Sequence, residues 1–236
     1  MKKTIGIIGG MGPAATADLY MRIIDATDAQ TDGEHLHVII DGNTAIPDRT
    51  AAILRGGPDP AEELCGSACR LEVAGAELLV MSCNTAHYFY DRITPHISVP
   101  FLHMPRETAK EAERRGYRAV ALLATDGTCE AGVYQRAFET EAPQIRLIRP
   151  DADGQKRIMS LIYDNVKAGR YDMPKEEIDA LLAQLKGCGA EAFILGCTEL
   201  PLAFRHYGFD AEILDPTMVL ARAAVLAAGG TLKEEK

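Results

Sequence analysis

Two stretches decide how this chain is read: "GAELLVMSCNTAHYF" at residues 75–89 and "GAEAFILGCTELPLAF" at residues 189–204. Each opens Gly-Ala-Glu, runs through a short apolar segment, and delivers a cysteine eight positions after its glycine, Cys83 in the first and Cys197 in the second. Brief apolar runs bounded by turn residues read as strands buried on both faces of a parallel sheet. One chain therefore makes the same cysteine-bearing strand end twice.

The pattern extends outward from both stretches. "KTIGIIGG", "LHVIIDG", "AELLVMSC" and "VPFLHM" form a first set of predicted strands, and "RAVALLAT", "IRLIRP", "EAFILGC" and "AEILDP" a second. Helical spacing of apolar residues fills the intervals, as in "ATADLYMRIIDAT", "PAEELCGSACRLEVAG", "CEAGVYQRAFE", "GQKRIMSLIYDNVKAG" and "PKEEIDALLAQLKGCG". Alternation of this kind predicts an α/β protein with mainly parallel sheets, Rossmann-like or flavodoxin-like in layout. The sets also align in register, because Gly9 precedes Cys83 by 74 positions and Ala124 precedes Cys197 by 73. Two pseudo-symmetric domains are expected: residues 1–103 plus 215–236 carrying Cys83, and residues 104–214 carrying Cys197. Ligands of open parallel sheets bind outside the carboxyl ends of the strands. Two such halves facing each other about an approximate twofold axis would present one thiol to each side of a shared interdomain site.

Composition narrows the classes. A chain of 236 residues, 47% hydrophobic and 25% charged, suits a globular protein with a sizeable core. Its formal charge of -9 and scattered basic residues argue against a nucleic-acid partner. No apolar run reaches the length of a membrane span. The opening "MKKTIGIIGG" is too short and too glycine-broken in its apolar part for a signal peptide, so a cytoplasmic location is expected. In a reducing compartment Cys65, Cys69, Cys83, Cys129, Cys188 and Cys197 are free thiols. Cys65 and Cys69, four apart, and Cys83 with His87 lack the second half of a metal site. Cys65, Cys69 and Cys188 read as core residues.

Two opposed thiols suit inversion of a stereocentre, one removing a proton from one face while the other returns a proton to the opposite face. Each cysteine precedes a hydrogen-bonding pair, Asn84 and Thr85 or Thr198 and Glu199, at an expected helix start. Amides and hydroxyls there would hold a substrate carboxylate and lower the thiol pKa. Alternatives stand beside this reading. Either cysteine is a small buried strand-end residue, or Cys83 alone is an acyl-transfer nucleophile with His87 as its base. "GGMGPAAT" satisfies the dinucleotide pattern through Gly10, Gly12 and Ala15, which keeps a nicotinamide-dependent oxidoreductase open, although Asp41 lies 29 residues beyond Gly12 rather than about 20. A non-catalytic acidic amino-acid-binding protein is the third class. Arg49 in "IPDRT" is either a carboxylate clamp or a surface residue beside Asp48. Lys167 in "DNVKAG" falls near a helix end, and Thr125 and Thr128 in "ATDGTCEAG" line a pocket or cap a helix.

These motifs together resemble the aspartate/glutamate racemase family, most closely its aspartate racemase branch. "GGMGP" from Gly9, "PDRT" from Pro47, "CNTAH" from Cys83, "LLATDGT" from Leu122 and "GCTELP" from Gly196 occur in order over nearly the whole chain. The resemblance implies a racemase that interconverts L- and D-aspartate, and glutamate as a possible second substrate, without pyridoxal phosphate or metal, and a homodimer. Cys83 and Cys197 match its two catalytic cysteines. By the same likeness Asn84, Thr85, Thr198 and Glu199 surround the amino-acid head group, Arg49 and Lys167 hold the side-chain carboxylate, and Met11, Asp48, Thr50, Thr125 and Thr128 complete the substrate-binding set. Glutamate racemases carry Asp-Ser-Gly in the first loop and Cys-Thr-His at the second cysteine; Met11 and Glu199 depart from that pattern toward aspartate.

Overall fold

The computed structural model describes residues 2–234. Eighteen of its elements run in the order β1 (Ile5–Ile8), α1 (Pro13–Ala26), β2 (Val38–Asp41), α2 (Arg49–Arg55), α3 (Ala61–Val73), β3 (Leu78–Met81), α4 (Tyr90–Ile93), α5 (Met104–Arg114), β4 (Ala119–Leu123), α6 (Asp126–Glu130), α7 (Val133–Glu141), β5 (Arg146–Ile148), α8 (Ala152–Ser160), α9 (Lys175–Gly187), β6 (Ala192–Leu195), α10 (Leu200–Tyr207), β7 (Ile213–Leu214) and α11 (Pro216–Ala227). By its internal contacts the chain divides into two compact units, Met1–Glu107 with Thr217–Lys236, and Thr108–Pro216.

The first unit is built on a parallel sheet of order β2-β1-β3, with Ile5 opposite both Val38 and Leu78. Every residue of β1 and β3 is buried, as expected of strands covered on both faces. Alternating side chains divide into two layers. Ile5, Ile7, Leu78 and Val80 pack with Leu19 and Ile23 of α1 and with Leu220, Ala224 and Val225 of α11. Leu79 and Met81 pack on the other face with Leu64, Ala68 and Leu71 of α3. All three helices reach these layers by spacing, because residues three, four or seven apart share one face of a helix.

The second unit repeats this order with one more strand, β5-β4-β6-β7, again parallel throughout. β4 and β6 are buried along their whole length. Leu123, Phe193 and Leu195 form a core with Ile158, Leu181, Leu185, Leu200 and Phe204 from α8, α9 and α10. The parallel α/β architecture expected from the sequence is therefore present in both units.

Local departures have local causes. "VPFLHM" forms one bridge, Phe101 to Leu79, rather than a strand. Leu79 N–H donates to the Pro100 carbonyl and Leu102 N–H to the Leu79 carbonyl, but Pro100 has no N–H with which to extend the ladder. "CEAGVYQRAFE" breaks into α6 and α7 at Gly132, whose φ of +64° is left-handed. "GQKRIMSLIYDNVKAG" begins as α8 and widens into a π-type turn over Leu161–Val166 that ends at Lys167. Among the described residues no helix is long and apolar enough to cross a membrane.

Candidate active site

In the first unit Cys83 lies two residues beyond β3, in the apolar cluster that holds Met11, Ile46, Ala86 and Phe89. A 3₁₀ turn over Thr85–Phe89 follows it, and Asn84 and Thr85 are both buried there. His87 fixes this turn. Its Nδ1 stands 2.8 Å from the Cys83 carbonyl, and its Nε2 accepts the Met104 N–H at 3.1 Å. The ring must then be neutral with the proton on Nδ1, which donates to Cys83 O. Burial, the largest cause, lowers its pKa from 6.5 to about 4. With both nitrogens committed, His87 is not the base that an acyl-transfer reading of Cys83 requires. It is a brace between the cysteine loop and the start of α5.

Arg49 opens α2 and turns its guanidinium inward. Nη1 donates to the Pro47 carbonyl at 3.1 Å and Nη2 to the Met11 carbonyl at 3.3 Å, which joins the "PDRT" segment to the loop after β1. Nε is buried without a hydrogen-bond partner, and no carboxylate pairs with this arginine among the described residues. A guanidinium held by carbonyls alone keeps its charge for an anion. Asp48 does not pair with it; the Asp48 carboxylate accepts Ala51 N–H at 2.6 Å as the N-cap of α2. Thr50 is buried in the first turn.

In the second unit Cys197 also lies two residues beyond its strand, β6. Its thiol donates to Glu199 Oε2 at 2.9 Å, and Thr198 Oγ1 donates to the same oxygen at 3.0 Å. Lys167 Nζ stands 3.9 Å from Glu199 Oε1 and 4.4 Å from the centre of the Tyr163 ring. The sequence reading expected the Cys197 thiol to be shifted down, and this is corrected. Burial and then the Glu199 charge push it well above the ordinary thiol range, with Lys167 acting weakly in the opposite sense. Glu199 is the N-cap residue of α10, so a carboxylate already stands at the helix end expected to favour a thiolate. Tyr163 went unread, although its spacing of four from Lys167 in a helical segment is the signal for such a pair.

Other expected residues have structural duties. Thr125 caps α6, accepting Thr128 N–H at 3.3 Å, and the two hydroxyls lie 3.1 Å apart. Cys188 is exposed at the end of α9, and Cys65 and Cys69 are half-buried, their thiols donating to the Arg92 and His96 carbonyls. Cys65 packs against the core of the first unit, as expected, whereas Cys69 and Cys188 belong to no core cluster among the described residues. Packing accounts for Gly9 and Gly10 of "GGMGPAAT", whereas a Cβ at Gly12 would meet nothing within 4 Å. Gly10 has φ +89°, and a Cβ there would fall 2.2 Å from the Asn43 carbonyl oxygen. Thr16 Oγ1 accepts Gly10 N–H and donates to the Gly12 carbonyl. Asp41, the acid that a dinucleotide reading needs for ribose, is held by Arg70 Nη2 at 2.8 Å. The nicotinamide alternative thereby loses the free acid it needs for ribose.

Comparison with known proteins accords with this layout. Residues 8–224 match the family described as Asp/Glu/Hydantoin racemase. The Picrophilus torridus aspartate racemase structure is 30% identical, covering 98% of this chain and 96% of that one with a TM-score of 0.83. The broad specificity amino-acid racemase RacX of Bacillus subtilis (strain 168) is 26% identical over 226 residues, 94% of this chain and 96% of RacX. Glutamate racemase from Francisella tularensis, solved with D-glutamate, shares the fold at 15% identity, with 96% and 81% of the two chains covered and a TM-score of 0.70. The chain belongs to the Asp/Glu/hydantoin racemase family and is an amino-acid racemase, an isomerase, of that family.

Proposed function

We propose that this protein interconverts L- and D-aspartate by two-base proton transfer at Cα, with Cys83 and Cys197 as the two bases. One observation carries the reading: both cysteines stand two residues past the third strand in sheets of the same order, second-first-third. Equivalent strand ends are where open parallel sheets place reactive groups. The proton moves between side chains and Cα only. One thiolate takes the Cα hydrogen, the electron pair stays on carbon, and the other thiol supplies a proton from the opposite side. The carbanionic charge is met by preorganised donors, for which Asn84, Thr85 and Thr198 stand beside the two cysteines. Arg49 holds the side-chain carboxylate with its unpaired charge, and Lys167 assists. Similarity to an aspartate racemase at 30% identity supports aspartate as substrate, and similarity to a broad-specificity enzyme supports a panel rather than a single compound.

The test is to incubate each enantiomer of aspartate, glutamate and a set of neutral amino acids in heavy water, following optical rotation and deuterium at Cα. Wild-type protein should label Cα and bring aspartate of either hand to zero rotation. Cys83→Ser and Cys197→Ser should each lose interconversion by about 100-fold or more, the usual scale for a general acid or base, while one-sided exchange survives. Undiminished racemisation in either variant would refute the two-thiol scheme.

A further inference from the structure

The two cysteines share a position in their sheets but not a chemical environment. Two residues beyond Cys197 comes Glu199, whose side chain folds back to accept the thiol proton at 2.9 Å. Two residues beyond Cys83 comes Thr85, and the Cys83 thiol makes no hydrogen bond among the described residues. We infer that Glu199 keeps Cys197 in its thiol form, so that in the resting protein Cys197 is the acid and Cys83 the base. The inference rests on the two-cysteine reading and adds to it the order in which the thiols act.

Geometry and charge carry the assignment. Deprotonating Cys197 would put a thiolate 2.9 Å from a carboxylate oxygen that now accepts its proton. The hydrogen bond would be lost and two negative charges left in contact, in a region where the cysteine itself is buried. Among the described residues, Glu199, Lys167 and Tyr134 are charged or titratable groups that act on it. Glu199 opposes the thiolate. Lys167, at the end of the π-type turn, favours it from beyond Glu199, with its ammonium 3.9 Å from the carboxylate and over the Tyr163 ring. Tyr134 of α7 is fully buried with its phenol pushed up, and so stays neutral. The nearer and hydrogen-bonded group wins.

The cycle follows from this asymmetry. Cys83 Sγ, once it has lost its own proton, takes the Cα hydrogen, and an S–H bond forms as the C–H bond breaks. Cys197 Sγ–H gives its proton to the opposite face of the same carbon and becomes the thiolate. The product leaves Cys83 protonated and Cys197 charged beside Glu199. Repulsion drives Cys197 to recover a proton from solvent while Cys83 releases one, which restores the starting state. An enantiomer that needs Cys197 as base reacts from the minor protonation state.

The experiment reads the thiols directly. Wild-type protein, Glu199→Gln and Lys167→Met are alkylated with iodoacetamide across a pH series, and Cys83 and Cys197 are followed separately by peptide mass spectrometry. Cys197 should titrate above Cys83 in the wild type. Glu199→Gln should lower the Cys197 midpoint by about one pH unit or more, so that below it Cys197 alkylates about tenfold faster at a given pH. Lys167→Met should move the midpoint up. A Cys197 midpoint below that of Cys83, or one unmoved by Glu199→Gln, would overturn the assignment; so would a higher KM in Glu199→Gln with the titration unchanged, which marks a group that meets only the substrate ammonium. Lack of Cα exchange by wild-type protein would instead remove the catalytic reading, an outcome seen in a different measurement.

Discussion

Acid should unfold this protein in part through one side chain, His87. The imidazole is 2% exposed, donates to the Cys83 carbonyl and accepts from Met104 N–H, so only the neutral ring satisfies both partners. Protonation would set Nε2–H against an N–H donor inside an apolar cluster. The folded pKa of about 4 lies below the ordinary 6.5, so the unfolded chain binds the extra proton first as pH falls. Stability from this residue is complete above 6.5, declines through the interval, and is gone below about 4. Over the whole window the linkage amounts to about 3 kcal/mol, and by pH 5 about 2 kcal/mol of it is lost. Urea unfolding followed by circular dichroism at pH 7, 6 and 5 and constant ionic strength measures it, with His87→Gln as reference. The variant should be less stable at pH 7 by about 1–3 kcal/mol, the cost of leaving buried partners unsatisfied. The gap between the two proteins should then narrow by about 2 kcal/mol at pH 5, because every other titrating group is common to both. Parallel stability curves from pH 7 to pH 5 would show that His87 titrates normally, and the neutral-brace reasoning would fail.

Two further outcomes separate binding from scaffolding in the "PDRT" segment. Asp48→Ala should cost about 1 kcal/mol of stability through loss of the α2 cap, with KM for aspartate unchanged; a KM raised at unchanged stability would return Asp48 to the substrate. Arg49→Lys keeps the charge and loses the planar fork, so KM for aspartate should rise about tenfold or more with a smaller change in kcat. An unaltered KM in that variant would remove Arg49 from the carboxylate site.

How much could be read from the sequence depended on the range of the forces involved. Strand ends at Cys83 and Cys197 were legible because β3 and β6 are continuous apolar runs closed by small polar residues, a pattern fixed by burial on both faces. The full extent of "VPFLHM" was not, since a hydrophobic run says nothing of the missing Pro100 donor until its neighbour Leu79 is known. Cys188 looked apolar in composition, but its burial depends on where α9 ends. The site divides the same way. Residue types and spacing singled out the thiols, Arg49 and Lys167 as candidates, and the structure sets them at two strand ends, at the start of α2 and at the end of the π-type turn. They did not reveal that the Asp48 carboxylate turns to its own helix, or that His87 spends both nitrogens on the backbone. Most of all, they gave the two cysteines one chemistry. Equivalence of backbone position is a property of the strands, whereas proton affinity belongs to the nearest few ångströms, and there a single carboxylate at position 199 makes the halves unequal. A fold that repeats can therefore set two cysteines on the same plan and still give them different surroundings through one side chain.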